Sequence, residues 1–471
     1  MSRMEKEQGP DGLDRTLGPI SIIALGVGGI IGAGAFVLTG VAAASFAGPG
    51  ISLSFVIAGM ACLLAGLCYA EYAAMLPVAG SAYSYVTFTM GRFAGWLVGW
   101  ILILDYLVVC SLIAVGWSAY TGAFLSGAGH PLPARWSAPP IAYDAATGFG
   151  LSGAVINLPA MLLILLVATV LTGGLRKSVA FNWVVAGLKV GAIALFVLFG
   201  AAQVDLSNWQ PFIPPNDGSF GSFGWSGVVR GAAVVFVAFL GFDAVSTTAQ
   251  EAKNPQRTMP VAILGALGVV TLTYVALSLV MTGLSPYREL GVANPLNVAL
   301  VHGGPSLAWL RPVLSVTTII GLASGVMVVM LGQSRIFLAM SRDRLLPALF
   351  GEIDPKTRTP VKGVKLIAAI AIALAGLFPV HLLGEIIAIG TLLAFAIVCV
   401  GIVVLRRVRP DLPRPFRTPL SPLVPLAGAL WCGVLMTFLP GVTWIAFLLW
   451  LGAGVAVYFA YSRPRAMRGG T

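Results

Sequence analysis

Residues 26–34 read GVGGIIGAG, and they lie in the middle of an apolar run that extends from about residue 18 to residue 46. Each glycine lowers helix stability by about 0.8–1.0 kcal/mol relative to alanine. A helix that contains this stretch can therefore open at its centre at small cost. Residues 239–244 read FLGFDA and place a glycine and a carboxylate near the middle of a second apolar run. These two breakable runs determine the fold that we predict.

The composition predicts an integral membrane protein. Of 471 residues, 58% are hydrophobic and 10% are charged, and the mean hydropathy is +0.94, whereas soluble domains are about 45–50% apolar. Apolar runs of about 20 residues, long enough to cross a bilayer, recur along the chain. We predict an all-α polytopic membrane protein with about twelve helical spans. The spans lie at about residues 18–46, 50–76, 87–126, 151–172, 179–202, 225–250, 258–284, 308–341, 364–380, 382–406, 419–439 and 441–461.

The basic residues indicate the orientation of the chain. The net charge of +11 does not indicate a nucleic-acid partner, because the lysines and arginines are distributed by membrane side and form no single soluble face. Most of them fall in loops on the side of the N-terminus, whereas Arg135, Arg230, Arg288 and Arg311 fall opposite. The positive-inside rule then predicts that both termini are cytoplasmic and that the number of spans is even.

The cysteines and histidines do not indicate a metal or a cofactor. All five cysteines lie inside apolar spans without paired ligand spacing, so we interpret them as small core residues and expect neither a disulfide nor a metal. There is no His-Glu-x-x-His motif and no phosphate-binding loop, so neither an intramembrane metalloprotease nor direct use of ATP is supported. An ion channel or a receptor would need a continuous polar pore lining or a large ligand domain, and neither is visible. We predict a protein that is not an enzyme and that has no cofactor.

The two breakable runs predict an inverted repeat of five plus five helices, with spans one and six discontinuous and two further helices at the C-terminus. Counting from either break, four further spans complete a set of five, and the two sets have opposite topology. In such a layout, substrate binds between the discontinuous helices of the two halves. We assign residues 1–16 to a cytoplasmic segment, 17–407 to the ten-span core with halves 17–202 and 225–407, 408–462 to the two additional helices, and 463–471 to a basic cytoplasmic tail.

An opened helix in mid-membrane offers backbone partners to both ends of a zwitterion. Its N-terminal half ends in free carbonyls and its C-terminal half begins with free N–H groups. The alternative interpretation is that the glycines only let helices pack closely. The N–H groups that we assign to a substrate carboxylate are those of Gly32, Ala33 and Gly34. The carbonyls that we assign to a substrate ammonium are those around Val27, Gly28, Val237 and Leu240.

Lys189 is the most unusual charged residue in the sequence, because it lies near the middle of its span. A charged side chain at the bilayer centre costs at least about 2.5–3.5 kcal/mol, so this ammonium needs a role inside the protein. Facing the opened first span, it can take the place of a coupling ion and carry the coupled proton. The alternative is a static ion pair, for which Asp105 is a candidate. We expect a structural hydrogen bond for Asp105 and a capping role at the second break for Asp243.

Several motifs carry a family resemblance. They are GGIIGAGAF at 28–36, YAE at 69–71, PVAGSAYSY at 77–85, GFDAVST at 241–247, EAKNPQR at 251–257, SRD at 341–343 and RPFR at 414–417. With these motifs the chain resembles the amino acid–polyamine–organocation superfamily, and within it the bacterial members of the cationic amino acid transporter family. The similarity extends from about Leu13 to the twelfth span.

The resemblance implies a ten-span inverted-repeat core with two extra helices, and proton-coupled uptake of amino acids. It implies that Lys189 fills a sodium-like site beside the first span, with Ser324 as a neighbour. The positions matched to the pocket of the family are Phe236, Val237, Tyr274 and Met327. Because the thioether of Met327 offers no partner to a cationic head group, a neutral, small or apolar amino acid is favoured over arginine.

Two positions depart from the pattern of the family. Asp105 replaces a commoner glutamate, and Gln250 stands where an acidic residue often precedes Glu251, so the local charge pairing is expected to differ. The chain also lacks the additional spans of animal relatives, which favours a prokaryotic plasma membrane.

We therefore expect an importer of neutral amino acids whose partners are the amino acid, protons and the lipid bilayer. An exchanger or a cationic amino acid transporter using the same site is the alternative, and a small accessory membrane subunit is left open.

Overall fold

The computed structural model describes residues 17–32, 34–76, 81–144, 148–173, 179–242, 245, 252–354 and 360–467. This part of the chain is almost entirely helical, and within it seven helical segments are long and apolar enough to cross a membrane. The protein is therefore an all-α polytopic membrane protein, as predicted. The helices are α1 Pro19–Ile30, α2 Ile51–Met75, α3 Ser81–Met90, α4 Arg92–Gly127, α5 Leu158–Thr172, α6 Val179–Ala201, α7 Gly224–Val235, α8 Pro255–Leu284, α9 Pro295–His302, α10 Leu310–Arg342, α11 Val361–Leu377, α12 Val380–Val408, α13 Leu423–Thr437, α14 Gly441–Val457 and α15 Arg463–Met467.

Each predicted span overlaps a helical segment, but several boundaries differ. The predicted third span begins inside α3, a separate helix that ends before Gly91, where φ is +86°. The segment before α5 contains a two-stranded antiparallel hairpin, β1 Ile141–Asp144 and β2 Gly148–Leu151, which the sequence did not predict. The second half of the first span is not a regular α-helix, since it passes through π-helical turns at Gly34–Leu38 and Ala43–Ala47.

Packing separates a buried bundle from outward apolar faces. Helix α2 packs along α8, α4 packs along α10, and α1 packs against α8 and α6. The outward faces of α5, α6 and α14 expose large apolar side chains such as Leu166, Leu198 and Leu449. Exposed apolar bands of this kind are unfavourable in water and favourable in lipid, so these faces are the lipid-facing surface of the protein.

Helix α14 docks on the core through tryptophans of α4. Trp100 Nε1 donates to the Trp450 carbonyl at 2.8 Å, and Trp450 Nε1 donates to the Trp100 carbonyl at 3.0 Å. Their rings stack with centroids 4.6 Å apart. Trp96 Nε1 donates to the Gly454 carbonyl at 2.8 Å and continues the same contact. The reciprocal bonds satisfy both indole N–H groups away from water and fix α14 against the bundle.

A buried ion pair links α7 to α12. Arg230 donates to Glu385 Oε1 at 3.1 Å, and both side chains are largely buried. The guanidinium also lies over the ring of Phe46, 4.3 Å from its centroid. Thr443 of α14 approaches the second carboxylate oxygen at 3.5 Å. Because a desolvated pair needs good geometry and additional partners, these contacts make the junction specific.

Candidate functional site

The first span breaks at the predicted place. Helix α1 ends at Ile30, and Ile31 has an extended conformation with φ −67° and ψ 105°. The chain resumes helical structure at Gly34. Among the described residues, the N–H groups of Gly32 and Gly34 have no hydrogen-bond acceptor, whereas the Gly32 carbonyl accepts from Ala35 and Phe36 at 3.1 and 3.2 Å. The break therefore leaves donors available at the start of the second half.

The sixth span breaks next to the first. After α7 the chain tightens into a 3₁₀ turn at Phe236–Phe239, and Leu240 then turns away with ψ 137°. Gly241 has φ +112°, and a Cβ on it would lie 3.1 Å from the Gly29 carbonyl oxygen. A Cβ on Gly34 would overlap Ala238. Only glycine allows this approach. The small residues of the two runs therefore allow close contact between the two breaks, and they also allow the helices to open.

Tyr274 of α8 connects the two breaks. Its hydroxyl lies 3.2 Å from the Ile30 carbonyl oxygen and 2.9 Å from the Ala238 carbonyl oxygen. Both carbonyls stand at the ends of helical segments, where the regular intrahelical partner is missing. The ring is fully buried and lies 5.2 Å from that of Phe55 and 5.5 Å from that of Phe239. Tyr274 therefore holds the geometry of both breaks.

Lys189 supplies the other cap of the first break. Its Nζ donates to the carbonyls of Gly28 and Ile31, each at 3.0 Å, and the residue is 4% exposed. Its stem crosses Gly321 of α10, where a Cβ would lie 2.9 Å from Lys189 Cγ. Within the described part of the chain Lys189 makes no ion pair. Backbone dipoles, and not a carboxylate among those residues, thus hold this ammonium.

Asp105 does not pair with Lys189 as the static alternative required. Its Oδ2 accepts from Thr391 Oγ1 at 3.0 Å, and the residue is buried. This bond ties α4 to α12. Ser324, the expected neighbour of Lys189, is buried on α10, and its Oγ has no hydrogen-bond partner among the described residues.

A cavity of about 90 Å³ lies at the breaks. Among the predicted residues it is lined by Gly28, Gly32, Gly34, Asp105, Lys189, Val237 and Leu240. Val27, Phe236, Tyr274, Ser324 and Met327 are not among its lining residues. Ala33 and Asp243 lie outside the described residues.

Three of the four predicted carbonyl acceptors already have partners. The Gly28 carbonyl accepts from Lys189, the Val27 carbonyl from Ile31 N at 3.0 Å, and the Val237 carbonyl from Leu240 N at 3.1 Å. Each carbonyl oxygen has a second lone pair, so a further bond is available where the geometry allows it.

Sequence reasoning missed the walls that α4 and α10 contribute. Tyr106, Val109 and Ile113 line the cavity from α4, and Gly325, Val328 and Gly332 line it from α10. Their spacings of three, four and seven residues are those of one helix face, which is the signal that identifies such a wall. Met327 is next to Val328 in sequence, about 100° away around the helix axis.

Comparison with known proteins identifies the family. Residues 17–451 match the family described as amino acid permease. The chain belongs to this family. The predicted superfamily is thereby confirmed, and the permease is a transporter and not an enzyme.

Curated relatives of the permease cover nearly its whole length. It is 40% identical to a methylthioribose transporter of Bacillus subtilis, over 97% of this chain and 95% of the relative. It is 39% identical to a branched-chain amino acid permease of the same organism over the same shares. It is also 38% identical to the vacuolar cationic amino acid transporter 4 of Arabidopsis thaliana, over 86% of this chain and 66% of the relative.

Proposed function

We propose that this permease imports small or apolar neutral L-amino acids together with protons by alternating access. The observation that carries the proposal is the cavity between two adjacent helix breaks. One wall carries N–H groups without an acceptor among the described residues, and another carries the Lys189 ammonium, which bonds to two backbone carbonyls. A zwitterion is the ligand class that such a pair of helix ends favours.

The substrate carboxylate binds the N–H groups of Gly32 and Gly34 in this proposal. The ammonium binds carbonyls of the sixth span around Val237 and Leu240, where the Val237 carbonyl oxygen keeps a second lone pair beside its bond from Leu240 N. Both breaks line the same cavity, so one ligand can contact both. The two adjacent breaks, one in each proposed repeat, support a five-plus-five core at 17–407 with 408–462 as additional helices.

Lys189 couples the proton in this proposal. A protonated amine makes charge-assisted bonds to the Gly28 and Ile31 carbonyls, and these are about twice as strong as neutral ones. Loss of the proton weakens the hold of α6 on α1 and favours movement of the first span. Ser324, with a buried hydroxyl that lacks a partner among the described residues, is a second polar group on the facing helix. An exchanger would use the same contacts without net proton movement.

Cavity size and the relatives bear on the substrate. The cavity of about 90 Å³ is smaller than an apolar cavity of about 150 Å³ that accommodates benzene. Its described side chains are mainly aliphatic and offer no acid to a cationic head group beyond Asp105, which bonds to Thr391. Both features favour small or apolar amino acids. A methylthioribose-like thioether sugar is the second candidate, because one relative is named for that substrate.

The charge distribution supports cytoplasmic termini, and the bacterial relatives support a plasma-membrane location. Arginines at the end of α12 and in the loop after it, such as Arg407, Arg409 and Arg417, are exposed at one end of the bundle. Positive loops remain on the cytoplasmic side of a membrane.

Purified permease in proteoliposomes tests the proposal. Labelled alanine or leucine should accumulate under an inward proton gradient, and unlabelled amino acid inside should stimulate counterflow, which a channel does not show. Unlabelled methylthioribose should compete weakly. Counterflow without gradient-driven accumulation would indicate an exchanger and contradict proton coupling. If methylthioribose competes and amino acids do not, the substrate is a thioether sugar and the proposed amino-acid substrate is wrong.

A further inference from the structure

A second, larger cavity lies at the end of the molecule where α4 ends and α10 begins. Its volume is about 670 Å³, and α9 forms its third wall. Polar side chains line much of it, among them Asn294, Asn297, Arg311 and Ser315. It shares no lining residue with the central cavity.

The cavity has an unbalanced positive charge. Among the described lining residues Arg311 is the one with a charged side chain, and within the same part of the chain no ion pair to it occurs. Arg311 belongs to the first turn of α10, which contains no acidic residue, so the helix dipole adds to its field. A guanidinium lining a cavity without a counter-charge favours an anionic ligand, and its planar fork matches a carboxylate.

Asn297 is oriented by its neighbour and offers further donors. Ser315 Oγ donates to Asn297 Oδ1 at 3.1 Å, which fixes the amide plane. The Asn297 amide N–H groups have no acceptor among the described residues, so they are available to a ligand in the cavity. An arginine and an oriented amide can together bind both oxygens of one carboxylate.

The cavity lies on the same pair of helices as the central cavity. On α4 the central cavity reaches Ile113 and the second cavity begins at Ala123, while on α10 the corresponding residues are Gly325 and Ser315. These separations correspond to about 15 Å along each helix axis. Because the chain runs in opposite directions in the two helices, both displacements are toward the same end. The second cavity therefore lies beyond the central one, along the same pair of packed helices.

We propose that this cavity is a second binding site for the transported amino acid, with its carboxylate held by Arg311 and Asn297. The ligand identity rests on the proposed function, whereas the carboxylate chemistry rests on the cavity alone. The C-terminal end of α4, at Ser126 to Ala128, presents the negative end of a helix dipole to the ammonium. An amino acid from outside occupies this site before it reaches the central cavity.

Chemical protection of Arg311 tests the second site without a transport readout. Purified permease is treated with phenylglyoxal, which modifies arginine, and modification is quantified by mass spectrometry with and without leucine or alanine. At a concentration ten times the dissociation constant, the amino acid should slow modification of Arg311 about tenfold. Arg135, an exposed arginine outside both cavities, serves as the internal control and should show no change.

Two variants separate the second site from the central one. Asn297→Ala should remove protection of Arg311, and Gly32→Val, which fills the central cavity, should leave it intact. Unchanged modification of Arg311 with either amino acid overturns the second site. Equal protection by acetate overturns its assignment to an amino acid. Protection by anionic lipid nanodiscs alone identifies a lipid headgroup and also overturns it. Protection in Gly32→Val together with absent uptake by wild-type protein would refute the transport proposal and keep the site.

Discussion

Lys189 and Glu71 are both buried charges in the helical bundle, but their surroundings differ in kind. Glu71 is fully buried and accepts from Arg406 Nε at 3.1 Å, from Arg406 Nη2 at 2.7 Å and from the Thr418 backbone N at 2.7 Å. Arg414 lies 3.6 Å from the same carboxylate. Lys189 bonds to two carbonyls at a helix break.

The difference separates a fixed junction from an adjustable one. The partners of Glu71 are charged side chains and a loop N–H, and they bring α2, α12 and the following loop together. Removing one charged partner leaves the opposite charge uncompensated in the low-dielectric interior. The partners of Lys189 are dipoles on a segment that is already without regular helical bonds. Such a segment can rearrange when the ammonium changes, which is the property required of a coupling site.

The largest effect is expected for Glu71→Ala. Removal of the carboxylate leaves Arg406 and Arg414 without their anion, and breaking a buried pair costs about 3–5 kcal/mol. Thermal unfolding of the detergent-solubilised permease should show a marked loss of stability. Glu352→Ala is the matched control, because its partner Lys362 and its own side chain are 58% and 54% exposed, and such pairs contribute about 0.2–1 kcal/mol. Equal losses for both variants would contradict the assigned role of the Glu71 junction.

Lys189→Ala is expected to lower stability less than Glu71→Ala but to abolish proton-driven accumulation of substrate. The variant leaves the Gly28 and Ile31 carbonyls without their donor, at a cost of about 1–3 kcal/mol. It should bind substrate yet fail to accumulate it under an inward proton gradient in proteoliposomes. Lys365→Ala, an exposed lysine of α11, should accumulate substrate as the wild type does. Gradient-driven accumulation by Lys189→Ala would remove this residue from coupling.

Gly32→Val should weaken amino-acid binding at least about tenfold, or about 1.4 kcal/mol. The nearest atom to a Cβ on Gly32 is the Ile30 carbonyl oxygen at 3.9 Å, so the added side chain fits the fold but enters the cavity beside the N–H groups. Gly187→Val is the control, since a Cβ there meets nothing within 4 Å and the residue faces outward. Isothermal titration calorimetry measures the affinity of both variants for the amino acid, and only Gly32→Val should bind more weakly than the wild type. Unchanged affinity of Gly32→Val would discredit the carboxylate site.

Local energetics explain which parts could be predicted from sequence. The breaks were predictable because glycine runs weaken helices. Lys189 was recognisable because placing a lysine in the middle of a span costs free energy, whichever group it contacts. The partners of these groups were not predictable, since Thr391 lies 286 residues from Asp105 and Arg406 lies 335 residues from Glu71. The contacts of the Tyr274 hydroxyl with both breaks depend on the tertiary fold, so they could not be predicted from the sequence.

Helix register limits the prediction of pocket residues further. The resemblance placed Met327 in the pocket, whereas the cavity reaches α10 through Gly325, Val328 and Gly332. One residue of difference rotates a side chain by about 100°. A match to a family position therefore identifies the correct turn of a helix more readily than the correct face. The β-hairpin went unpredicted for another reason, because strands of four residues carry little periodic signal.

The smallest effect on stability is expected for Tyr274→Phe, and it tests whether the two breaks are coupled. The variant keeps the ring packing and loses only the hydroxyl near the Ile30 and Ala238 carbonyls, at a cost of about 0.5–1.5 kcal/mol. Tyr72→Phe is matched to it, because its buried hydroxyl bonds to Thr89 at 2.9 Å and contacts neither break. Both variants should unfold at similar temperatures, but only Tyr274→Phe should change the rate of counterflow, since its hydroxyl is the side-chain group shared by both breaks. Equal counterflow in the two variants would mean that the breaks move independently of this bridge.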